Sequence, residues 1–245
     1  MPSEGLNTRR LTWLITLLAL VSAGSAHANQ AGDSTVASQH NTLEDQQRIR
    51  ALIPTFAWRD QKRWGDLRAT FTDDGTISIS WYDGAVEGFI EASKAMAKDS
   101  NTLTKHRIDS PRISICGERA LAETDVTIMV RASVAGQDVD VTSYARFFDR
   151  LRRENGIWKI QARTGIYEKD RIDPVGPSIL LSMINSFANY DQYPGELKHL
   201  AYGLDKKGYR LMDTVVTSGG DRENALKSEA LAWLAQGGCR MPALP

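Results

Sequence analysis

Two residues in this sequence stand where proton-transfer chemistry would need them, Asp60 and His106. In LEDQQRIRALIPTFAWRD, residues 43–60, Leu43, Ile49, Ile53 and Phe56 fall near the three- and four-residue steps of one helical apolar stripe. Four residues beyond Phe56 the stripe reaches Asp60, and a carboxylate in register with a buried face is costly unless something pairs with it. The other reading puts Asp60 past a frayed helix end, on a solvated turn with Arg59, Gln61, Lys62 and Arg63. Pro54 interrupts the stripe, and a continuous helix should kink there, because proline has no N–H to offer the preceding turn. His106, in LTKHRIDSPRIS, shares strand parity with Ile108, which suggests an inward face. A lone strand histidine is often structural. One that faces an inward aspartate is a base, because the carboxylate fixes its tautomer and stabilises the imidazolium.

Little else in the chain offers chemistry. His40 lies in a polar lead-in, and His199, in the helical tail, reads as a surface residue. There is no HExxH, Cys–His cluster or EF-hand loop, so no protein-built metal site is expected. No GxGxxG, P-loop or GxSxG elbow is present either. What remains is acid–base chemistry with no cofactor. Phe56, Trp64, Trp81, Tyr82 and Phe147 are candidates to line an apolar pocket, with ordinary core as the alternative for each. The mixed-charge run Arg150 to Glu154 reads as a solvated strand end.

The 245 residues allow one large domain or two small ones, and 42% apolar and 24% charged residues are ordinarily globular. A formal net charge of zero with no basic run gives no reason to expect nucleic acid or an anionic membrane surface. Arg9 and Arg10, the apolar run Leu11 to Val21 and Ala26-His27-Ala28 make a secretory signal cut after Ala28. The protein is therefore expected in the periplasm or outside the cell, free of the membrane once cleaved. Residues 29–42 read as a flexible lead-in. Export permits a disulfide, but Cys116, in the apolar run RISIC, reads as a buried free thiol. A bond to Cys239 is the other possibility.

After the first helix come a short helix from Trp64 to Phe71, a turn at Asp73-Asp74-Gly75 and a strand from Thr76 to Trp81. Asp83-Gly84 signals a hairpin, and Gly88 opens a helix to about Lys98. The period then changes to two. Four long strands follow, about Leu103–Cys116, Arg119–Val134, Gln137–Leu151 and Ile157–Glu168, joined by turns tight enough to make neighbours antiparallel. After Pro111 the apolar parity of the first of these switches, as a bulge would produce. Ala122, Thr124, Val126 and Ile128 share one face of the second, and Glu123, Asp125 and Arg131 the other. Helices first and a strand meander after them argue for an α+β fold, a curved sheet closed on one side. Past Asp173-Pro174 come helical stretches carrying Leu180, Ile184 and Phe187, then Leu197, Leu200 and Leu204. A last helix is capped by Asp221. This segment, 173–245, is read as an extension packed on the first domain.

IRALIPTFAWRDQKRWGDLRATFTDDGTISI, EGFIEASKAM, TKHRI and YARFFDRLRRENGIWKIQAR, in that order, resemble the SnoaL-like branch of the nuclear transport factor 2-like superfamily over residues 43–172. The resemblance implies a cone-shaped α+β barrel around a deep apolar pocket. Its scytalone dehydratase and hexachlorocyclohexane dehydrochlorinase members pair an aspartate ending the first helix with a histidine on the first long strand. Asp60 and His106 match those positions, and Arg163, five residues after Trp158, matches the dehydrochlorinase arginine. Departures are Arg131 near the dehydratase's second histidine, Phe147 near its asparagine and Thr55 at the dehydrochlorinase lysine. Simple alternation also sets Arg163 opposite Trp158, unless a bulge near Gly165 turns it inward. The implied function is a cofactor-free lyase acting on a small hydrophobic substrate, with a ligand-binding protein or an isomerase or cyclase as alternatives. A homo-oligomer through the outer sheet face, where Arg131 lies, is a further expectation.

Overall fold

The computed structural model describes residues 42–98, 102–134, 136–177, 179 and 188–239. The leader and its cut, the lead-in with His40, and the helix of Leu180, Ile184 and Phe187 lie outside them. The chain divides into two compact units, Met1–Asp45 and Gln46–Pro245, and the strands and later helices all belong to the second.

Helix α1 covers 42–52, and at Ile53 it tightens into a 3-10 helix, Ile53–Arg59, that buries Ile53 and Phe56. Pro54 sits in the first turn of that segment, where a missing N–H is tolerated. The expected kink is thus a change of helix type. At three residues per turn, side chains three apart eclipse one another, so Ile53, Phe56 and Arg59 form one row. Asp60 is the C-cap, its N–H bonded back to Ala57 O at 3.1 Å.

Helix α2 (Trp64–Ala69) leads into β1 (Phe71–Ile79), β2 (Tyr82–Ala85) and α3 (Val86–Lys98). Here two turn expectations are corrected. Asp73-Asp74-Gly75 lies inside β1, where pairing with β7 (Ile157–Pro174) jumps from Phe71↔Ile160 to Thr76↔Ala162. The hairpin turn is Ser80-Trp81, since Ile79 pairs with Tyr82 and Ser78 with Asp83. That puts Trp81 at a strand end, facing α3.

The predicted first long strand is two, β3 (Leu103–Ile108) and β4 (Arg112–Cys116), broken around Pro111, and both pair with β5 (Arg119–Val134). With β6 (Gln137–Glu154) and β8 (Val216–Thr217) the sheet has eight strands, ordered β2-β1-β7-β6-β5-β3 with β4 on β5 and β8 on β7. All neighbours are antiparallel except β1–β7 and β7–β8. The result is α+β, a curved, mainly antiparallel sheet with helices packed against its inner side.

Two one-residue bulges in β7 set which side chains face the core. Pairing runs Leu151↔Ile160 and then Arg150↔Ala162, leaving Gln161 extra, and later Ala145↔Tyr167 and Tyr144↔Lys169, leaving Glu168 extra. Each bulge reverses side-chain parity. Trp158 and Ile160 are therefore buried from even positions, and Arg163, Gly165 and Tyr167 from odd ones.

The outer face is partly covered by the chain itself. Helix α5 (Asp221–Ala235) buries Ala230 and Leu234 against Cys116, Leu121, Phe148, Ile166 and Val216. A charge network fastens it: Arg146 contacts Glu123, Glu168 at 2.6 Å and Glu223 at 2.9 Å, and Lys227 reaches Glu123 and Glu223. Together these cations outweigh burial and hold Glu223 down to about 2. The N-cap is Gly220, one residue before the expected Asp221. Arg131 lies on the exposed remainder of this face, paired with Asp140 at 2.7 Å. Nor is Arg150–Glu154 simply solvated, for Arg152 reaches Asp74 and Arg153 lies over the Trp158 ring.

The free-thiol reading of Cys116 is wrong: Cys116 and Cys239 form a disulfide, with Cα atoms 5.5 Å apart across 123 residues. Burial in a strand fits either state. What decides it is α5, which returns residue 239 to the end of β4. Gly117 adopts φ +57°, and a Cβ there would lie 2.7 Å from Gly237 O, so the backbones approach only because both residues are glycine. A crosslink closing so long a loop should contribute about 3–5 kcal/mol. Cys239→Ser should lower the urea-unfolding free energy by that amount, and reducing the wild type should match it. A variant as stable as wild type would contradict this.

Candidate active site

Asp60 and His106 meet. The aspartate accepts two hydrogen bonds from one residue: the His106 backbone N–H donates to Oδ2 at 2.7 Å, and ring Nδ1 lies 2.8 Å from Oδ1. The carboxylate thus fixes the strand and the ring together, and a carboxylate on Nδ1 puts the proton there and leaves Nε2 as the acceptor. Their side chains are 7% and 13% exposed for His106 and Asp60. The solvated-turn reading of Asp60 is set aside.

A carboxylate beside an imidazole by itself raises the ring's pKa, but here the net direction is the opposite. Burial lowers the His106 pKa from the ordinary 6.5, Asp60 pulls it back, and the charges of Arg59 and Arg163 push it down again. The net direction is downward, because burial of the ring is the largest influence and the two cations add to it against the paired carboxylate. The resting ring is neutral, the state a base requires.

Arg163 is inward and fully buried, turned there by the bulge at Gln161 rather than by one near Gly165. Nε and Nη2 donate to the two oxygens of Asp149 at 2.7 and 2.8 Å. The guanidinium lies 4.3 Å from the Phe147 ring centroid and 5.1 Å from that of Phe56. Nη1 is buried with no hydrogen-bond partner among the described residues. Burial pushes the Asp149 carboxyl up against the pull of Arg163.

The aromatic candidates divide. The Phe56 ring is edge-on to His106 at 5.4 Å and to Phe147 at 5.0 Å, and stacks on Phe89 at 5.9 Å. Trp81 lies 5.5 Å from Phe89 and 5.9 Å from Tyr209 of the C-terminal segment. Tyr82 is more peripheral, with its hydroxyl donating to Ala85 O at 2.8 Å. Trp64 packs on the main core, with no ring contact to the dyad among the described residues.

Sequence reasoning missed Arg59, Phe89, Tyr167 and Asp149. Arg59, assigned only to a solvated turn, is half-buried and lies 5.6 Å from the Trp81 ring centroid and 5.9 Å from that of Phe89. The signal for it was Pro54, because three-per-turn spacing continues Phe56 to residue 59. Tyr167 is buried and its hydroxyl accepts Ser80 N–H at 2.9 Å. Asp149 was visible as an acidic residue at a buried parity on β6.

His199 is not a plain surface residue. Its Nδ1 lies 2.8 Å from Asp170 Oδ1, and its N–H and that of Leu200 donate to Oδ2. Those two amides open helix α4 (Lys198–Asp205), so this second aspartate–histidine pair is accounted for as a helix cap. Among the described residues no cluster of three or more His, Cys, Asp or Glu is arranged to hold a metal.

The model of the SnoaL-like domain family matches residues 41–164, which contain the dyad, Asp149 and Arg163. The chain belongs to the SnoaL-like family. Among curated proteins it is similar to pea pathogenicity protein 2 of Fusarium vanettenii, 29% identical over 198 residues, 74% of this chain and 78% of that one. Among solved structures it is similar to a scytalone dehydratase homologue from Novosphingobium aromaticivorans, with 16% identity, 57% of this chain and 99% of the other covered, and a TM-score of 0.48. Another is LinA, with 19% identity, coverage of 58% and 96%, and a TM-score of 0.48. The described SnoaL-like domain here is extended by β8, α4 and α5.

Proposed function

We propose that this SnoaL-like protein is an exported, cofactor-free lyase of the dehydratase or dehydrohalogenase type, acting on a small hydrophobic molecule. The observation that carries the reading is the two-point hold of Asp60 on His106, which directs Nε2 as a base. Nε2 removes a proton from carbon, the C–H electrons form the double bond, and the leaving group departs from the neighbouring carbon with its bonding pair. Asp60 stabilises the imidazolium so formed. A halide leaves as the anion and the ring later returns its proton to solvent. A hydroxyl takes that proton from the imidazolium and leaves as water. Arg163 Nη1, a buried donor without a partner among the described residues, is suited to the developing negative charge.

Purified protein offered β-halo and β-hydroxy carbonyl substrates and chlorinated cycloalkanes should release halide or water and form an alkene, followed by mass spectrometry. Because the histidine pKa is lowered, the base form persists further into acid. The acidic limb of kcat/KM should therefore fall below about 6.5, the free imidazole value. A limb above it would contradict the lowered pKa of the base, and no turnover across the panel with unchanged ligand recovered would overturn the lyase reading and favour a binding protein.

A further inference from the structure

Arg59 differs from Arg163 in the one respect that matters for a ligand. Arg163 is neutralised by Asp149. The hydrogen-bond partners of Arg59 among the described residues are both neutral: Ser93 Oγ, 3.3 Å from Nε, and Met96 Sδ, 3.4 Å from Nη2. Trp81 and Phe89 face the guanidinium; no carboxylate of the described residues lies within ion-pair distance of it, and Asp60, held by His106, acts on it only from further away. A cation set among aromatic rings has given up much of its hydration, and an anion that meets it there gains more than one meeting an arginine in water.

Its neighbours complete a subsite. Arg59 and Phe56 occupy one row of the 3-10 helix, and both contact the Phe89 ring; Phe56 in turn touches His106. The Tyr167 hydroxyl accepts from Ser80, from its N–H at 2.9 Å and from its side chain, which leaves its own O–H proton for a further acceptor. The charge of Arg59 is felt at both Tyr167 and His106. Two donors of unspent capacity thus lie near the base, separated from it by apolar rings.

We infer that Arg59, with the Tyr167 hydroxyl, binds a carboxylate of the ligand, so that the molecule taken by this site is a small aromatic or alicyclic acid rather than a neutral hydrocarbon or ketone. The inference rests on the proposed function, in which the dyad is where the ligand reacts. The planar fork of Arg59 takes the carboxylate oxygens side by side, the rings of Trp81, Phe89 and Phe56 take the apolar body, and the carbons beyond face His106 Nε2.

The test reads binding, not turnover. Isothermal titration of the wild type with 3-phenylpropanoate and its neutral isostere 3-phenylpropanamide should show the acid bound at least about tenfold more tightly, a difference of about 1.4 kcal/mol. Arg59→Gln should abolish that preference, Arg59→Lys should keep part of it, and Tyr167→Phe should weaken the acid more than the amide. Arg107→Gln, which removes an exposed charge beside His106, should leave the preference intact, separating contact from the general field. Asp60→Asn should also keep it while losing turnover; in the wild type, a preference without turnover leaves the subsite standing while the lyase reading falls, and turnover without preference does the reverse. Equal binding of the two probes, binding of neither, or an undiminished preference in folded Arg59→Gln overturns the inference.

Discussion

His106→Ala should lower turnover by about 10²- to 10⁴-fold, the contribution of a positioned general base, while leaving the cooperative unfolding transition in place. Asp60→Asn should do nearly as much, for a reason the geometry makes specific. Oδ2 accepts the backbone N–H of His106 and Oδ1 sits against ring Nδ1. An asparagine that keeps its oxygen on the backbone amide must present NH₂ to Nδ1. The ring then has to accept there, which moves its proton to Nε2 and removes the lone pair that does the chemistry. The two residues act as one unit, so the double variant should lose little beyond the worse single one. Rates measured on folded variants decide the matter. Either single variant retaining more than about a tenth of wild-type turnover would exclude the dyad as the catalytic base.

Asp149→Ala should destabilise the fold by about 3–5 kcal/mol, the usual cost of leaving one partner of a buried ion pair uncompensated. Both side chains are wholly buried. The guanidinium left behind would keep the Phe56 and Phe147 rings beside it but lose both of its charged hydrogen bonds. Burial already pushes the Asp149 carboxyl up against the pull of Arg163, so desolvation of the pair is not offset by its attraction alone. Replacing both by apolar residues, Asp149→Leu with Arg163→Met, should therefore recover most of the lost stability while abolishing whatever Arg163 does for activity. Urea unfolding supplies the measurement. A single variant within about 0.5 kcal/mol of wild type would show that the pair is hydrated rather than buried.

Much of the architecture was legible because period and turn chemistry are local. The long strands β5, β6 and β7 announce themselves by alternation and by Asn155-Gly156, and the break at Pro111 by a switch in parity. The apolar stripe of Ile49, Ile53 and Phe56 and the inward parity of His106 made a pair of Asp60 with the ring one of the two readings open, and its hydrogen bonds to His106 decide between them. The ordered motifs likewise pointed to the SnoaL-like family before any contact was known.

Other features depended on three-dimensional register. Counting by four along α1 reached Asp60, but the tightening of the chain at Pro54 made Arg59 the residue in line with Phe56. No helical periodicity reports such a change of pitch within one turn. The bulge at Gln161 turned Arg163 inward, because one extra residue reverses every side chain after it, and a bulge shows only when two strands are laid side by side. The lowering of the His106 pKa came first from burial of the ring and then from Arg59 and Arg163, cations from positions 47 residues before and 57 after it in the sequence. The Cys116–Cys239 bond needed α5 to lie across the outer face. Local spacing determines which side chains share a face; only tertiary packing decides which faces meet, and burial, charge balance and crosslinking all follow from that meeting.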